Sequence, residues 1–303
     1  MAKINRRKFI ESTAAAGAFT ILPRHVLGGS GYVAPSDKLT LAHIGMGTQS
    51  IRELGGLLEE PRIQIVAVCD PNTDSSDYVE WSKNEIRRRI QTYLGNAAWR
   101  ENINGCPGGR LVGQEIVNTY YANQRADEKF NGCAIYADFR ELLEKEKDID
   151  AVKIMTPDHL HSFIAIAAMK KGKHVLMHKP IANRIHEGRR VYEVAEQTKA
   201  VTHLLAHGSG RDNGRIVEEI KKGVIGPLRE IHNWTNRPVW PQYVQIPTDT
   251  PPVPAGFDWD LWLGPAQFRP YHPCYTHTVY RGWYDFGGGS MADMGIYSLW
   301  PVF

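Results

Sequence analysis

Gly45-Met46-Gly47-Thr48-Gln49-Ser50 is a glycine-bearing turn between an apolar run and a helically spaced one. In that setting a backbone can cradle a pyrophosphate. Gly45 can make the tight turn, and Gly47 lets the main chain approach phosphate oxygens at the start of a helix. Ser50 stands where the dinucleotide fingerprint usually has its third glycine, and it is small enough for close helix–strand packing. Asp70 ends the next apolar run, 20 residues after Ser50. A carboxylate there can accept hydrogen bonds from both ribose hydroxyls of NAD and would repel a 2′-phosphate. No arginine follows it, only "PNTDSSD", so the set favours NAD over NADP.

The elements around these residues read as a strand–helix alternation. "KLTLAHIGMG" predicts a strand, "IRELGGLLEE" a helix and "RIQIVAVCD" a strand covered on both faces, a βαβ unit with a parallel sheet. Asp77–Phe130 interrupts as a helical insertion, expected to shape a pocket rim or an oligomer contact. The rhythm then resumes with "YADFRELLEKEKD", "DAVKIMTP", "HLHSFIAIAAMKKGK", "HVLMHKP", "HEGRRVYEVAEQTKA" and "VTHLLAH". The fold class is therefore α/β, a doubly wound parallel sheet of Rossmann type over 38–208. From Pro227 the texture turns to Trp, Pro, Tyr and Gly. "REIHNWTNRPVW" alternates like an open-faced strand, predicting a second α+β domain over 209–303 with a largely antiparallel sheet.

Bulk numbers narrow the classes. Hydrophobic content of 42% and charge of 23% describe an ordinary globular protein. The net charge of +3 is concentrated in residues 1–30, where Lys3, Arg6, Arg7, Lys8 and Arg24 face Glu11. The rest is near neutral, and no nucleic-acid partner is expected. Cys69, Cys106, Cys133 and Cys274 are scattered with no C-x-x-C pair, which argues against a disulfide scaffold or a thiolate metal site. "NRRKFIESTAAAGAFTILP" has a basic head and an apolar stretch too short to span a bilayer. Residues 1–30 thus read as a signal peptide, and Arg6-Arg7 resembles the twin-arginine type that exports folded proteins. The translocon is then a partner and the periplasm the destination.

Three segments together resemble the glucose–fructose oxidoreductase / inositol dehydrogenase / MocA family: the glycine loop, "TPDHLHSFIAIAAMKKGKHVLMHKPIA" and "GWYDFGGGSMADMGIY". The resemblance runs from about Lys38 to Phe303, the insertion excepted. It implies a dinucleotide domain followed by a domain that presents a sugar-like substrate, usually in a homo-oligomer. It places Lys179, before Pro180, at the catalytic lysine, which can polarise a hydroxyl or carbonyl oxygen. His178 replaces the usual glutamate. Asp293 matches the acidic member of the family's D-x-x-x-H pair, and Tyr297 stands in the histidine's place. A phenol, with a reference pKa near 10, is a poorer base at neutral pH. Tyr297 takes the proton-relay role beside Lys179, or another of the 12 histidines does, His277 being a candidate, or the chemistry is altered. Gly45, Met46, Gly47, Thr48, Asp70, Thr156, Pro157, His161 and Lys179 would surround the cofactor. Trp262, His277, Arg281, Trp283 and Tyr284 would meet the sugar.

The expectation is a hydride-transferring enzyme acting on a sugar, glycoside or polyol. A dinucleotide carried through export should be tightly held and restored on the enzyme in each cycle, which predicts redox-neutral chemistry. Two alternatives stand beside it. One is a non-catalytic homologue, motivated by His178 and Tyr297. The other is a metal hydrolase built on His159 and His161 of "DHLH". The chain stops six residues past Tyr297, so the second domain is expected to be incomplete.

Overall fold

The computed structural model describes residues 33–205, 213–234 and 245–299. The expected signal peptide lies outside the described residues. Six parallel strands form the central sheet: β1 (Leu39–Ile44), β2 (Ile63–Cys69), β5 (Ala134–Tyr136), β6 (Ala151–Ile154), β7 (His174–His178) and β8 (Thr202–Leu205). Their order is β5-β2-β1-β6-β7-β8, every neighbouring pair parallel. The order reverses between β1 and β6, which opens a crevice at the carboxyl ends of those strands. Alternation along the strands feeds two cores. Leu41, Ile65 and Val68 pack on one face, while Ala42, Ile44, Ala67 and Cys69 pack on the other. Helices α1 (Thr48–Glu59), α2 (Glu85–Leu94) and α3 (Arg110–Gln124) cover the first face. Helices α4 (Phe139–Lys145), α5 (Asp158–Lys170) and α6 (Ile185–Thr198) cover the second.

The segment expected as a single helical insertion divides in two. Helix α3 packs on β2 and β5 and is the crossover between them. The added matter is a two-stranded antiparallel ribbon, β3 (Ser75–Tyr78) with β4 (Cys106–Gly108), and helix α2 between them. Short, Ser- and Asp-rich β3 and Pro-bearing β4 carry little apolar alternation, which hid them from periodicity. A Cβ at Gly108 would lie 2.7 Å from the Tyr78 ring, so the ribbon closes tightly on that aromatic.

Past β8 the described residues form helices α7 (Asn213–Lys221), α8 (Trp259–Leu263) and α9 (Gly289–Leu299) with short 3-10 turns. Arg229–Trp234, read as the start of an antiparallel strand, runs as irregular backbone, and residues 235–240 of that stretch lie outside the described residues. A third, aromatic core of Trp259, Trp262, Tyr275, Tyr280, Trp283 and Phe286 joins this part to the sheet domain. His159 of α5 meets Trp262 and Phe286 at 5.1 Å between ring centroids, and its Nε2 lies 3.0 Å from the Trp262 carbonyl oxygen. No helix of the described residues is long and apolar enough to cross a membrane.

Two buried histidines set an acid limit on stability. Burial, reinforced by the Lys153 charge, lowers His43 to about 3, and burial lowers His159 to about 4. Both are depressed bases. As pH falls below 6.5, the unfolded chain takes up protons that the folded state refuses, at up to about 1.4 kcal/mol per pH unit for each group. The denaturant midpoint is therefore expected to fall steadily from pH 6.5 to pH 4.5. A level midpoint over that range contradicts the assignment.

Candidate active site

The glycine loop lies between β1 and α1 at the crevice. Gly45 has φ +95°, and a Cβ there would lie 2.6 Å from the carbonyl oxygen of Met155 at the end of β6. Helix α1 starts from Gly47 with no side-chain cap, so its first amides point toward the cleft unclaimed by any capping oxygen. Asp70 is buried, accepting from Met46 N at 2.7 Å and Asn72 N at 2.8 Å. Burial raises its pKa against the pull of those amides. Thr156 and Pro157 form the far edge of the same cleft. An uncapped helix N-terminus, a glycine at closest approach and a carboxylate after β2 fit a dinucleotide's pyrophosphate and ribose.

Two residues expected at the cofactor have other work. Met46 is fully buried, its side chain packed where a Cβ at Gly113 of α3 would fall, and it shapes the loop through its backbone N–H. His161 is buried between two carbonyl oxygens, Nδ1 2.6 Å from Pro180 O and Nε2 2.9 Å from Thr156 O. It ties the ends of β6 and β7 together and does not line the cleft. His159 and His161 thus spend three ring nitrogens on backbone carbonyls, which leaves the metal-hydrolase reading without a ligand pair.

Lys179 follows β7, and its peptide bond to Pro180 is cis. Its side chain is 4% exposed, with Nζ 2.5 Å from Asp293 Oδ1 and 2.6 Å from Asp293 O. Burial lowers the lysine pKa, and the Asp293 carboxylate opposes that shift. Arg281 Nε lies 3.3 Å from the same carboxylate oxygen. Asp293 and Tyr297 are four apart on α9 and so share a face. Tyr297 offers Lys179 its ring face, with Nζ 4.9 Å from the centroid. The i,i+4 pairing was legible in the sequence, whereas the cation–π contact was not.

Beneath this pair lies a buried network no motif announced. His178 Nε2 is 3.4 Å from Glu53 Oε1, and Glu53 Oε2 is 2.9 Å from Lys153 Nζ. Burial would raise the Glu53 carboxyl. The hydrogen bond to His178 and the Lys153 charge outweigh it and hold the group well below the usual carboxylate range. A carboxylate from α1 thus stands beside His178, the residue that took the family glutamate's place. Lys153 sits mid-strand in an apolar run, and only the three-dimensional neighbour Glu53 explains it.

The expected sugar contacts separate. Arg281 lines both the cleft and the lysine pocket. Trp262 and Trp283 belong to the aromatic core, Trp262 touching the cleft wall and Trp283 donating to Cys274 O at 2.8 Å. Tyr284 is 76% exposed, lies under the Arg184 guanidinium at 3.9 Å and lines neither pocket. His277 stands at the cleft, its ring 4.4 Å from that of Tyr78 and its Nε2 3.2 Å from Asp77. His277 holds the Asp77 carboxyl down at about 2. It belongs to the nucleotide side and not beside Lys179 as a substitute base.

The family described as "Oxidoreductase family, NAD-binding Rossmann fold" matches residues 93–205, and its "C-terminal alpha/beta domain" matches residues 220–303. A levoglucosan dehydrogenase of Pseudarthrobacter phenanthrenivorans is 35% identical over 94 residues, 30% of this chain and 24% of that protein. A glycosyl hydrolase family 109 protein of Streptomyces filamentosus is 26% identical over 187 residues, 61% of this chain and 30% of that protein. The chain thus spans less than a third of the length of these curated relatives. Among solved structures, the WlbA dehydrogenase of Bordetella pertussis in complex with NADH and UDP-GlcNAcA aligns at 18% identity and a TM-score of 0.39, over 61% of this chain and 43% of that one. With both halves of one family's architecture matched in order along it, the chain belongs to the Gfo/Idh/MocA oxidoreductase family and carries that family's NAD-binding Rossmann domain.

Proposed function

We propose that this chain oxidises and re-reduces a hydroxyl-bearing carbon of a sugar, glycoside or polyol, in a redox-neutral cycle on tightly held NAD. The observation that carries the reading is the buried Lys179–Asp293 pair in a pocket continuous with the dinucleotide cleft. The two share Thr48, Gln49, His178, Thr278 and Arg281 as walls. Gly47, the first amides of α1, Asp70 and the Thr156–Pro157 edge would hold the dinucleotide. When bound, NAD supplies a hydride acceptor and, on return, a donor.

The protein's own part is the proton and the charge. The Lys179 amine, its pKa lowered by burial, takes the hydroxyl proton as the carbinol becomes a carbonyl. Asp293 balances the ammonium so formed, and Arg281 adds positive charge toward developing oxyanion character. The Tyr297 ring face supports the same ammonium, and its hydroxyl would pass protons onward with Asp293.

The resulting ketone then either leaves, and the carbonyl of a second sugar accepts the hydride in its place, or acidifies the neighbouring C–H. In the second route that proton and the glycosidic leaving group depart, water adds across the enone and hydride returns. The names of the relatives, a levoglucosan dehydrogenase and a glycosyl hydrolase family 109 protein, support a carbohydrate substrate, and the second supports the route that ends in loss of the glycosidic group. The twin-arginine-type head supports export to the periplasm with the dinucleotide already aboard.

Mass spectrometry and absorbance of the full chain, purified without added cofactor, test the cycle. NAD is expected at close to one equivalent per chain, with turnover needing none added. Protein that releases its NAD readily and turns over only with supplied NAD would falsify the redox-neutral cycle.

A further inference from the structure

The segment after β2 runs along both pockets. Tyr78 and Val79 line the dinucleotide cleft. Two residues on, Trp81 lines the lysine pocket together with Arg52, Lys179, Asp293 and Tyr297. That pocket encloses about 480 Å³, within the range of small-ligand sites.

Trp81 is 55% exposed, an unusual state for an indole. The segment carrying it is nonetheless held at both ends. The Glu80 carboxylate accepts from Asn84 N and, at 3.0 Å, from Ile86 N, fastening it to the start of α2. Arg52 of α1 grips Glu85 through two hydrogen bonds, 2.9 and 2.8 Å, tying α2 to the helix that follows the glycine loop. The fold thus spends an ion pair and a carboxylate cap on fixing a large aromatic at the mouth of the pocket. Tyr297, a second large aromatic among the described residues of its walls, presents its face to Lys179.

We infer that Trp81 is a substrate-binding residue, an aromatic platform on which the apolar face of a pyranose ring stacks while Lys179 engages a hydroxyl of the same ring. The inference rests on the carbohydrate reading above and extends it to the segment between β3 and α2. A pyranose has C–H groups clustered on one face and hydroxyls at its rim. An indole on the same pocket wall as the Lys179–Asp293 pair matches both, and burial of the ring face adds aromatic contact energy to the polar grip. Acyclic polyols lack that face and should bind without help from Trp81.

Steady-state kinetics of full-length protein over a panel of pyranosides and acyclic polyols test this. Trp81→Ala is expected to lower kcat/KM on pyranosides about tenfold, carried by KM, the equivalent of about 1.4 kcal/mol. Trp81→Phe is expected to restore most of the loss, and both variants should retain NAD as the parent does, since Trp81 does not line the dinucleotide cleft. Equal KM values for parent and Trp81→Ala on every pyranoside overturn the platform. So does an equal loss in the Phe variant, or a loss confined to kcat. If the parent itself turns over no pyranoside or polyol of the panel, the carbohydrate-oxidoreductase reading fails, a result separable from any difference between the parent and the Trp81 variants.

Discussion

Lys179→Ala is expected to lower kcat/KM by about 10²–10⁴-fold on whichever sugar the protein accepts, while leaving bound NAD in place. The size of the effect follows from what the amine does. It combines burial, a carboxylate partner at 2.5 Å and a place on the wall of the pocket that adjoins the cleft. Removing it takes away both the proton acceptor and the cation toward which oxygen charge develops. Asp293→Asn supplies the matching signature. Asp293 holds the lysine pKa up against burial, so without its charge the pH limb belonging to Lys179 moves to lower pH. Single-turnover measurement of bound NADH absorbance, with the parent's NAD content verified in each variant, checks both. A Lys179→Ala protein with parent-level turnover removes Lys179 from the proton-accepting role, whereas a parent that holds NAD and turns over no sugar returns the chain to the non-catalytic reading that His178 and Tyr297 first suggested.

Much of this site was legible because its chemistry is local in the chain. The glycine loop, Asp70, Lys179 before proline and the Asp293–Tyr297 spacing each announce themselves within a few residues, and the strand–helix alternation places them at one sheet edge. What stayed hidden depends on elements far apart in sequence. Lys153 reads as an interruption in a buried strand until Glu53, a hundred residues earlier, is seen beside it. His161 and Met46 sit within the right motifs, but their side chains are turned into backbone and core contacts that periodicity cannot orient. Trp262 and Trp283 illustrate the ambiguity of aromatics, since the same composition serves a sugar platform and a hydrophobic core. Trp81 is the opposite case, placed in a polar segment without apolar rhythm and brought to the pocket only by the ribbon around it.

The Glu53–Lys153 pair carries the second large effect, this time on stability. The Lys153 side chain is 4% exposed and that of Glu53 14%, so the lysine's charge is compensated by Glu53, and the carboxylate by Lys153 together with His178. Removing either partner strands the other charge in the core, at a cost of about 3–5 kcal/mol. Glu53→Leu and Lys153→Met are each expected to fall in that range by chemical denaturation. The double variant, which leaves no stranded charge between them, should cost markedly less than the sum of the two. His178 also faces Glu53, so some residual loss should persist in the double variant and in Glu53→Leu alone. The sign with pH follows from Glu53, whose folded pKa lies below its unfolded value of about 4.3. Its contribution is complete above that value and is lost as pH falls through the folded pKa, so the parent's advantage over the double variant should narrow in acid. Strict additivity of the two single losses, with no narrowing below pH 4, would mean that the pair is not coupled and that Lys153 is compensated elsewhere.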